Sequence, residues 1–182
     1  MKPARHAMVP LLLAALFFAP WLLAWALYHH ADLVPRSGLQ QGELLLPLQP
    51  LALPPLTEAD GAVFDTAIFR GRWTLLYRRN DRCDSECRQV LTTLQNVRLA
   101  QGEAMSRVQR VLVLATPLKA DEAQELSASD LRVVTATHWP LPHDWIYLLD
   151  PQGNMVLRYR PGFEPRGLLN DLQRLLRQSG AG

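Results

Sequence analysis

The chemistry that this sequence could perform centres on its two cysteines, Cys83 and Cys87. They follow an apolar run at residues 73–77, which predicts a buried strand, and they open an amphipathic helix whose apolar face carries Cys87, Leu91 and Leu94. Residues four apart lie on one face of a helical turn, so both sulfurs can face one ligand or each other. At a helix N-terminus, unsatisfied N–H groups and the helix dipole lower a thiol pKa.

The two cysteines should differ in exposure. Cys83 precedes the first turn and should be the more exposed, whereas Cys87 falls on the apolar stripe and should be buried. This arrangement suits an attacking thiol with a resolving partner, or a two-thiolate clamp for a soft ion such as Cu(I). The alternative is a structural disulfide or a pair of inert thiols. A disulfide across so short a loop would stabilise the fold little, which favours a functional role.

An apolar segment near the N-terminus predicts a membrane anchor. Residues 8–28 contain no charged side chain and are long enough to cross a bilayer. Lys2 and Arg5 precede the segment, so the positive-inside rule puts residues 1–7 in the cytoplasm and the rest outside it. We expect a single-pass protein of the inner (plasma) membrane, with its C-terminal domain periplasmic or otherwise extracytoplasmic.

A cleaved signal peptide is the competing interpretation of this segment, since residues 24–26 have the small-x-small form of a cleavage site. The apolar run is longer than the usual signal-peptide core, which favours a retained anchor.

Residues 29–55, rich in leucine and proline, are expected to form an extended linker, and residues 56–182 the domain. Lys2 and Arg5 account for the whole net charge of +2, so the exported part is neutral and indicates no nucleic-acid surface.

The order of elements predicts an α/β fold. We expect one or two short strands at 62–69 and then, in chain order, a strand at 73–77, the cysteine helix to about residue 102, a strand at 108–115, a short helix at 120–126, strands at 131–135, 145–149 and 155–159, and a terminal helix at 164–178. A β-α-β-α series that closes with a hairpin and a helix is typical of a thioredoxin-like domain, a central mixed sheet flanked by helices. The redox pair of such a domain lies at the start of its first helix.

Several motifs resemble the Sco/SenC family, membrane-anchored thioredoxin-like proteins that help to assemble the copper site of cytochrome c oxidase. The resemblance runs from about Leu56 to the C-terminus. It rests on Asp60-Gly61, the run Arg70-Gly71-Arg72-Trp73-Thr74-Leu75-Leu76-Tyr77, the C-x-x-x-C pair at Cys83 and Cys87, Leu91 and Leu94, and the run Tyr147-Leu148-Leu149-Asp150-Pro151-Gln152-Gly153. It implies copper as a cofactor, Cys83 and Cys87 as its ligands, and an oxidase subunit or another redox protein as the client.

The histidine ligand of that family has no direct counterpart here. Counting back from Tyr147, the expected position falls on Pro142, while His143 is one residue away and His138 is four away. A one-residue slip on a strand turns the side chain to the opposite face, although a loop could absorb it. His143 therefore stays a candidate ligand. Pro142 could instead be the cis-proline that lies beside the cysteine pair in oxidoreductases of this fold.

Three functional hypotheses follow. The first is a Sco-like factor that binds or delivers copper through Cys83, Cys87 and a histidine, His143 or else His138. The second is a general extracytoplasmic thiol–disulfide oxidoreductase, in which Cys83 attacks and Cys87 resolves. The third is a non-catalytic thioredoxin-like scaffold whose cysteines merely form a bridge.

Overall fold

The computed structural model describes residues Leu13, 16–22, Trp25, 41–58, 61–126, 130–139 and 141–179. The chain forms two compact units, Met1–Gly38 and Leu39–Gly182. Most of the predicted span at 8–28 lies outside the described residues; the part at 16–22 is helical. Among the described residues, the structure contains no helix with the length and apolar character needed to cross a membrane.

The second unit is built on one mixed sheet of six strands in the order β1-β6-β5-β2-β3-β4. The strands are β1 (Glu43–Pro50), β2 (Trp73–Arg79), β3 (Val108–Leu114), β4 (Leu131–Thr135), β5 (Ile146–Leu149) and β6 (Asn154–Tyr159). The helices are α1 (Ser85–Leu99), α2 (Ala120–Leu126) and α3 (Pro165–Gln178), and 3-10 turns cover Thr66–Phe69 and Gly102–Arg107. Strands β2, β3 and β4 are parallel to one another, and β5 pairs antiparallel with both β2 and β6. This is the expected mixed sheet with helices packed against it.

The two faces of the sheet are covered differently. Alternate residues of a strand point to opposite faces, so Leu75 packs with the three helices while Leu76 packs on the other side. Helix α1 contributes Cys87, Leu91, Leu94 and Val97 to the first core. The second core is closed by apolar side chains from the segment 51–69, together with Trp139. The helices and the cysteine pair therefore share one face of the sheet.

Two segments depart from the sequence prediction. Part of the segment expected to be a linker, residues 43–50, is the edge strand β1, which pairs antiparallel with β6 around an irregularity in register. An edge strand tolerates Pro47 because its outer N–H groups need no partner. The strands expected at 62–69 are instead one isolated bridge at Val63 and the 3-10 turn Thr66–Phe69, because Asp65 caps that turn by accepting from the N–H of Ala67.

A buried carboxylate attaches the start of this unit to its last helix. Oδ2 of Asp171 accepts hydrogen bonds from the N–H groups of Gln41 (2.8 Å) and Gly42 (3.0 Å) and from the hydroxyl of Tyr159 (2.8 Å). Two glycines allow the close approach: a Cβ on Gly42 would lie 2.5 Å from the Tyr159 ring, and one on Gly167 would lie 2.6 Å from Cβ of Gln41. Residues 41–42 are thereby fixed on α3.

Candidate redox and metal site

The structure joins Cys83 and Cys87 in a disulfide, with their Cα atoms 5.1 Å apart. Cys87 is fully buried in the core beneath α1, and Cys83 is partly buried against that core. Cys83 is therefore the more exposed of the two bonded residues and the one that an incoming group can approach.

Asp84, between the two cysteines, caps the helix. Its backbone is extended, and Oδ1 of its side chain accepts a hydrogen bond from the N–H of Cys87 at 2.9 Å. This N–H group lowers the pKa of the Asp84 carboxyl; burial raises the pKa, and the charge and hydrogen bond of Arg79 lower it, so that the pKa stays below its usual value. The sequence suggested that free N–H groups at this end would favour a thiolate. A carboxylate already uses one of them, and its negative charge opposes that effect.

Arg79, the last residue of β2, contacts three carboxylates. Its guanidinium lies 2.8 Å from Asp84, 3.1 Å from Asp144 and 3.5 Å from Glu86. Burial lowers the pKa of Arg79, but Tyr77 and the carboxylates of Asp144 and Asp84 raise it by more, so the guanidinium stays charged. The first turn of α1 is thus attached to a residue on a distant loop.

Two further ion pairs connect the cysteine segment to α2. Arg82 lies 3.8 Å from Glu122, and Arg88 lies 3.7 Å from Glu125. The side chains of Arg82, Arg88 and Glu125 are more than half exposed, so solvent screens both pairs. These contacts place α2 beside the cysteine pair without rigidly fixing it.

The loop at 141–145, which carries Pro142 and His143, is held at several points. The buried side chain of Arg78 donates to the carbonyl of Leu141, and the N–H of Asp144 donates to the carbonyl of Arg78 at 2.7 Å. The hydroxyl of Tyr147 donates to the carbonyl of Pro142 at 2.9 Å. Burial raises the pKa of Tyr147 to about 12, so this hydroxyl remains a donor at physiological pH. The loop is therefore anchored to β2 and β5.

The histidines lie in exposed positions. The His143 side chain is 58% exposed, and its Nδ1 atom lies 2.9 Å from Oδ2 of Asp144. His138 is exposed as well. Because β5 begins only at Ile146, residues 142 and 143 lie in a loop, where the alternation of faces along a strand does not apply. Among the described residues, no group of three or more His, Cys, Asp or Glu side chains is placed to hold a metal ion. The ligand role of His143 and the cis form of Pro142 stay predictions.

Three residues of this site were not identified from the sequence: Arg79, Asp84 and Asp144. Asp84 had a usable signal, because an aspartate directly before an amphipathic helix is a typical N-cap. Arg79 and Asp144 are 65 residues apart in the chain, and no local pattern connects them. Their contact depends on the pairing of β2 with β5, which brings the two segments to the same end of the sheet.

Comparison with known proteins agrees with this fold. ScoI of Arabidopsis thaliana with copper bound is 18% identical at a TM-score of 0.53, covering 68% of this chain and 96% of its own. Apo Sco1 of Thermus thermophilus is 17% identical at a TM-score of 0.56, and the match covers 75% of this chain and 96% of Sco1. BsSco is a member of the Sco family of cytochrome c oxidase assembly proteins, and a disulfide switch was identified in it. It is 11% identical at a TM-score of 0.55, and the match covers 75% of this chain and 97% of BsSco. At such identities the expected likeness to Sco proteins is confirmed as a likeness of fold. No curated protein matches the sequence.

A family model shows the family membership of this chain, which likeness to solved structures at such low identity does not. It matches residues 73–179, from the start of β2 to just beyond the end of α3, and describes a transmembrane-like, thioredoxin-like, C-terminal domain. The matched region contains the cysteine pair, the Arg79 cluster and the loop at 141–145. The chain therefore belongs to the transmembrane-like, thioredoxin-like C-terminal domain family.

Proposed function

We propose that this protein is a membrane-anchored, Sco-like factor that exchanges thiols and disulfides through Cys83 and Cys87 during assembly of the copper site of cytochrome c oxidase. The unequal exposure of the two bonded cysteines supports this proposal most strongly. A resolving thiol must be shielded from the client yet next to the attacking thiol, and Cys87 meets both conditions.

The exchange takes place in two thiol–disulfide steps. In the reduced protein, the Cys83 thiolate attacks one sulfur of a client disulfide, forming a mixed disulfide and releasing one client thiolate. Cys87, after losing its proton, attacks the Cys83 sulfur, which restores the Cys83–Cys87 disulfide and releases the second client thiolate. The client gains two electrons and two protons in total, and the protein loses them. An extracytoplasmic dithiol reductant must then reduce the pair again.

Copper binding is the second candidate, with copper as cargo of the reduced pair. Two thiolates four residues apart form a soft donor set that suits Cu(I). The donors fit the ion only after the disulfide is opened, since the sulfurs are bonded to each other in the structure. The contact in which Nδ1 of His143 can donate to Oδ2 of Asp144 is the kind of outer hydrogen bond that metal-binding imidazoles usually have. His143 is accordingly proposed as a third donor, acting through Nε2.

The family description and the N-terminal sequence support the proposed location, and the fold supports the proposed client. A family described as transmembrane-like and an uncharged run at residues 8–28 both support a single-pass anchor with the domain outside the cytoplasm. The fold of the cytochrome c oxidase assembly proteins supports an oxidase subunit as the client. A general thiol–disulfide oxidoreductase without copper, and a scaffold without chemistry, are the alternatives that experiment has to exclude.

Trapping a mixed disulfide tests the exchange proposal. The full-length protein in detergent, reduced and then offered an excess of a disulfide-bonded peptide, should pass through the mixed disulfide without accumulating it. Cys87→Ala should accumulate a stable adduct on Cys83, visible as added mass in intact-protein mass spectrometry. Cys83→Ser, which keeps the buried thiol, is the matched control and should form no adduct. Failure of Cys87→Ala to form an adduct, or equal labelling of both variants, contradicts the assigned roles.

Anaerobic Cu(I) titration of the reduced full-length protein tests the second candidate. One equivalent should bind in competition with a chromogenic chelator, and Cys83→Ser and Cys87→Ser should each abolish binding. His143→Ala should weaken it, whereas His138→Ala should leave it unchanged. A protein that exchanges disulfides but ignores Cu(I) is the general oxidoreductase. A protein that does neither is the scaffold.

A further inference from the structure

One guanidinium connects two segments that are distant in the sequence. Arg79 is only 13% exposed, with Nη2 2.8 Å from Oδ2 of Asp84 and Nη1 3.1 Å from Oδ1 of Asp144. Asp84 caps the cysteine helix, and Asp144 belongs to the loop that carries His143. Arginine suits this position because its planar fork can donate to two carboxylates at once.

Asp144 extends the connection to the imidazole. Its other carboxylate oxygen, Oδ2, lies 2.9 Å from Nδ1 of His143. Asp144 is the only residue other than glycine in the described part of the chain that has a positive φ, 62°. Such a conformation persists where the surrounding contacts fix it, and the N–H of Asp144 is indeed bonded to the carbonyl of Arg78. The carboxylate is thus held from both its backbone and its side chain.

The other end of the connection reaches the cysteines. While Oδ2 of Asp84 binds Arg79, its Oδ1 accepts the N–H of Cys87 at 2.9 Å. A continuous series of contacts therefore runs from the His143 imidazole through Asp144, Arg79 and Asp84 to the backbone of Cys87. Hydrogen bonds between ionised groups, such as those of Arg79, are roughly twice as strong as neutral ones.

We infer that Arg79 is the positioning residue of this site, which fixes the orientation and tautomer of the His143 imidazole relative to the first turn of the cysteine helix. The carboxylate of Asp144 accepts a hydrogen bond from Nδ1–H and so favours the tautomer whose proton is on Nδ1, which leaves Nε2 as the ring nitrogen with a free lone pair. Within the described residues Nε2 has no hydrogen-bond partner, and the ring is exposed. The inference deepens the proposed function, because it rests on the cysteine pair being the reacting centre.

Nitrogen NMR of the imidazole tests the inference. The full-length protein in detergent, oxidised and labelled with ¹⁵N only in histidine, is studied at about pH 8.5, where an ordinary imidazole is neutral. His143→Ala assigns the signals. The wild-type protein should show His143 mainly as the Nδ1–H tautomer. Arg79→Met should lose this preference and resemble Asp144→Asn. Arg82→Met removes another arginine that pairs with a carboxylate near the cysteines, so it is the matched control and should keep the wild-type signals.

Two results would overturn the inference. In one, Arg79→Met retains the wild-type tautomer; in the other, Arg82→Met alters it as much as Arg79→Met does. Circular dichroism checks that each variant is folded, and Arg79→Gln replaces Arg79→Met where the latter does not fold. The measurement involves neither disulfide exchange nor copper. A failure here therefore leaves the proposed function standing, and a failure of the proposed function leaves these signals unchanged.

Discussion

Two arginine–carboxylate clusters hold the same helix. At the first turn of α1, Arg79 binds Asp84 and Glu86, whose side chains are 53% and 71% exposed. At the middle of α1, Arg110 donates to the carbonyl of Leu91 at 2.9 Å and lies 2.6 Å from Asp130. The side chains of Arg110 and Asp130 are only 3% and 9% exposed. Arg79 itself is only 13% exposed, so the two clusters differ mainly in the exposure of their carboxylates.

This difference separates a structural role from a functional one. Breaking a buried ion pair leaves a charge without compensation in a poorly polar environment, which costs several kcal/mol. Breaking an exposed pair usually costs less than about 1 kcal/mol, because water solvates the groups that are released. Arg110 therefore stabilises the packing of α1 on the sheet, whereas the Arg79 cluster orients side chains beside the cysteines and adds little to the stability of the fold.

The largest effect is expected at the buried cluster. Arg110→Met should lower the free energy of unfolding by about 3 kcal/mol, because Asp130 then remains buried without its main partner. Arg98, 3.5 Å from Asp130, limits the loss. Urea denaturation of the reduced protein, followed by circular dichroism, measures this change. A loss below 1 kcal/mol would mean that the two clusters are energetically alike.

An intermediate effect is expected at the helix cap. Asp84→Ala removes the acceptor of the Cys87 N–H group and should cost about 1 kcal/mol in the same denaturation experiment. Asp84→Asn keeps a capping oxygen and should cost clearly less, which makes it the control. Equal losses in the two variants would assign the stabilisation to the charge and not to the cap.

A smaller effect on stability is expected for Arg79→Met. The free energy of unfolding should fall by less than about 1 kcal/mol, and addition of salt to the wild-type protein should reproduce part of that loss by screening. Arg82→Met provides a reference for a pair whose arginine is 63% exposed. A loss as large as that of Arg110→Met would contradict the distinction between the clusters.

The smallest expected effect on the free energy of unfolding comes from the protonation of Asp130 at low pH. Burial of Asp130 by itself raises its pKa, but the hydrogen bond and charge of Arg110, together with Arg98, lower the pKa below its usual value of 3.8. The folded-state pKa is therefore below the unfolded one, so this contribution to stability is complete above about pH 4 and is lost as the pH falls through the folded-state pKa. Unfolding free energies measured between about pH 5 and 2 should fall less steeply for Asp130→Asn than for the wild type. Identical slopes would exclude a role for this carboxyl.

Much of the fold could be predicted because its signals are local. The apolar runs before Cys83 and after Arg107, and the leucine spacing of α3, depend only on neighbouring residues. Strand β1 gave no such signal, since its leucines do not alternate with polar residues and Pro47 interrupts them. It is a strand because β6 offers a partner, and pairing between distant segments is not visible in either of them alone.

In the candidate site, too, the residues with a local sequence signal could be predicted and those that depend on distant contacts could not. Cys83 and Cys87 could be found because their spacing and position at a helix start lie within five residues. The role of Arg79 could not, since its charge resembled that of the neighbouring Arg78 and Arg82 in a stretch of mixed charges. The structure separates these three: Arg78 is buried under a loop, Arg82 is exposed, and Arg79 bridges two segments.

The attachment of residues 41–42 to α3 has a practical consequence for anyone who shortens this protein. A truncated form that starts at residue 56 would take away two of the three hydrogen bonds that the structure gives to Asp171. It would also strip β1 from the sheet and leave β6 as a bare edge, a surface on which copies of the chain could associate strand to strand. A soluble fragment intended to stay monomeric should therefore begin ahead of Gln41.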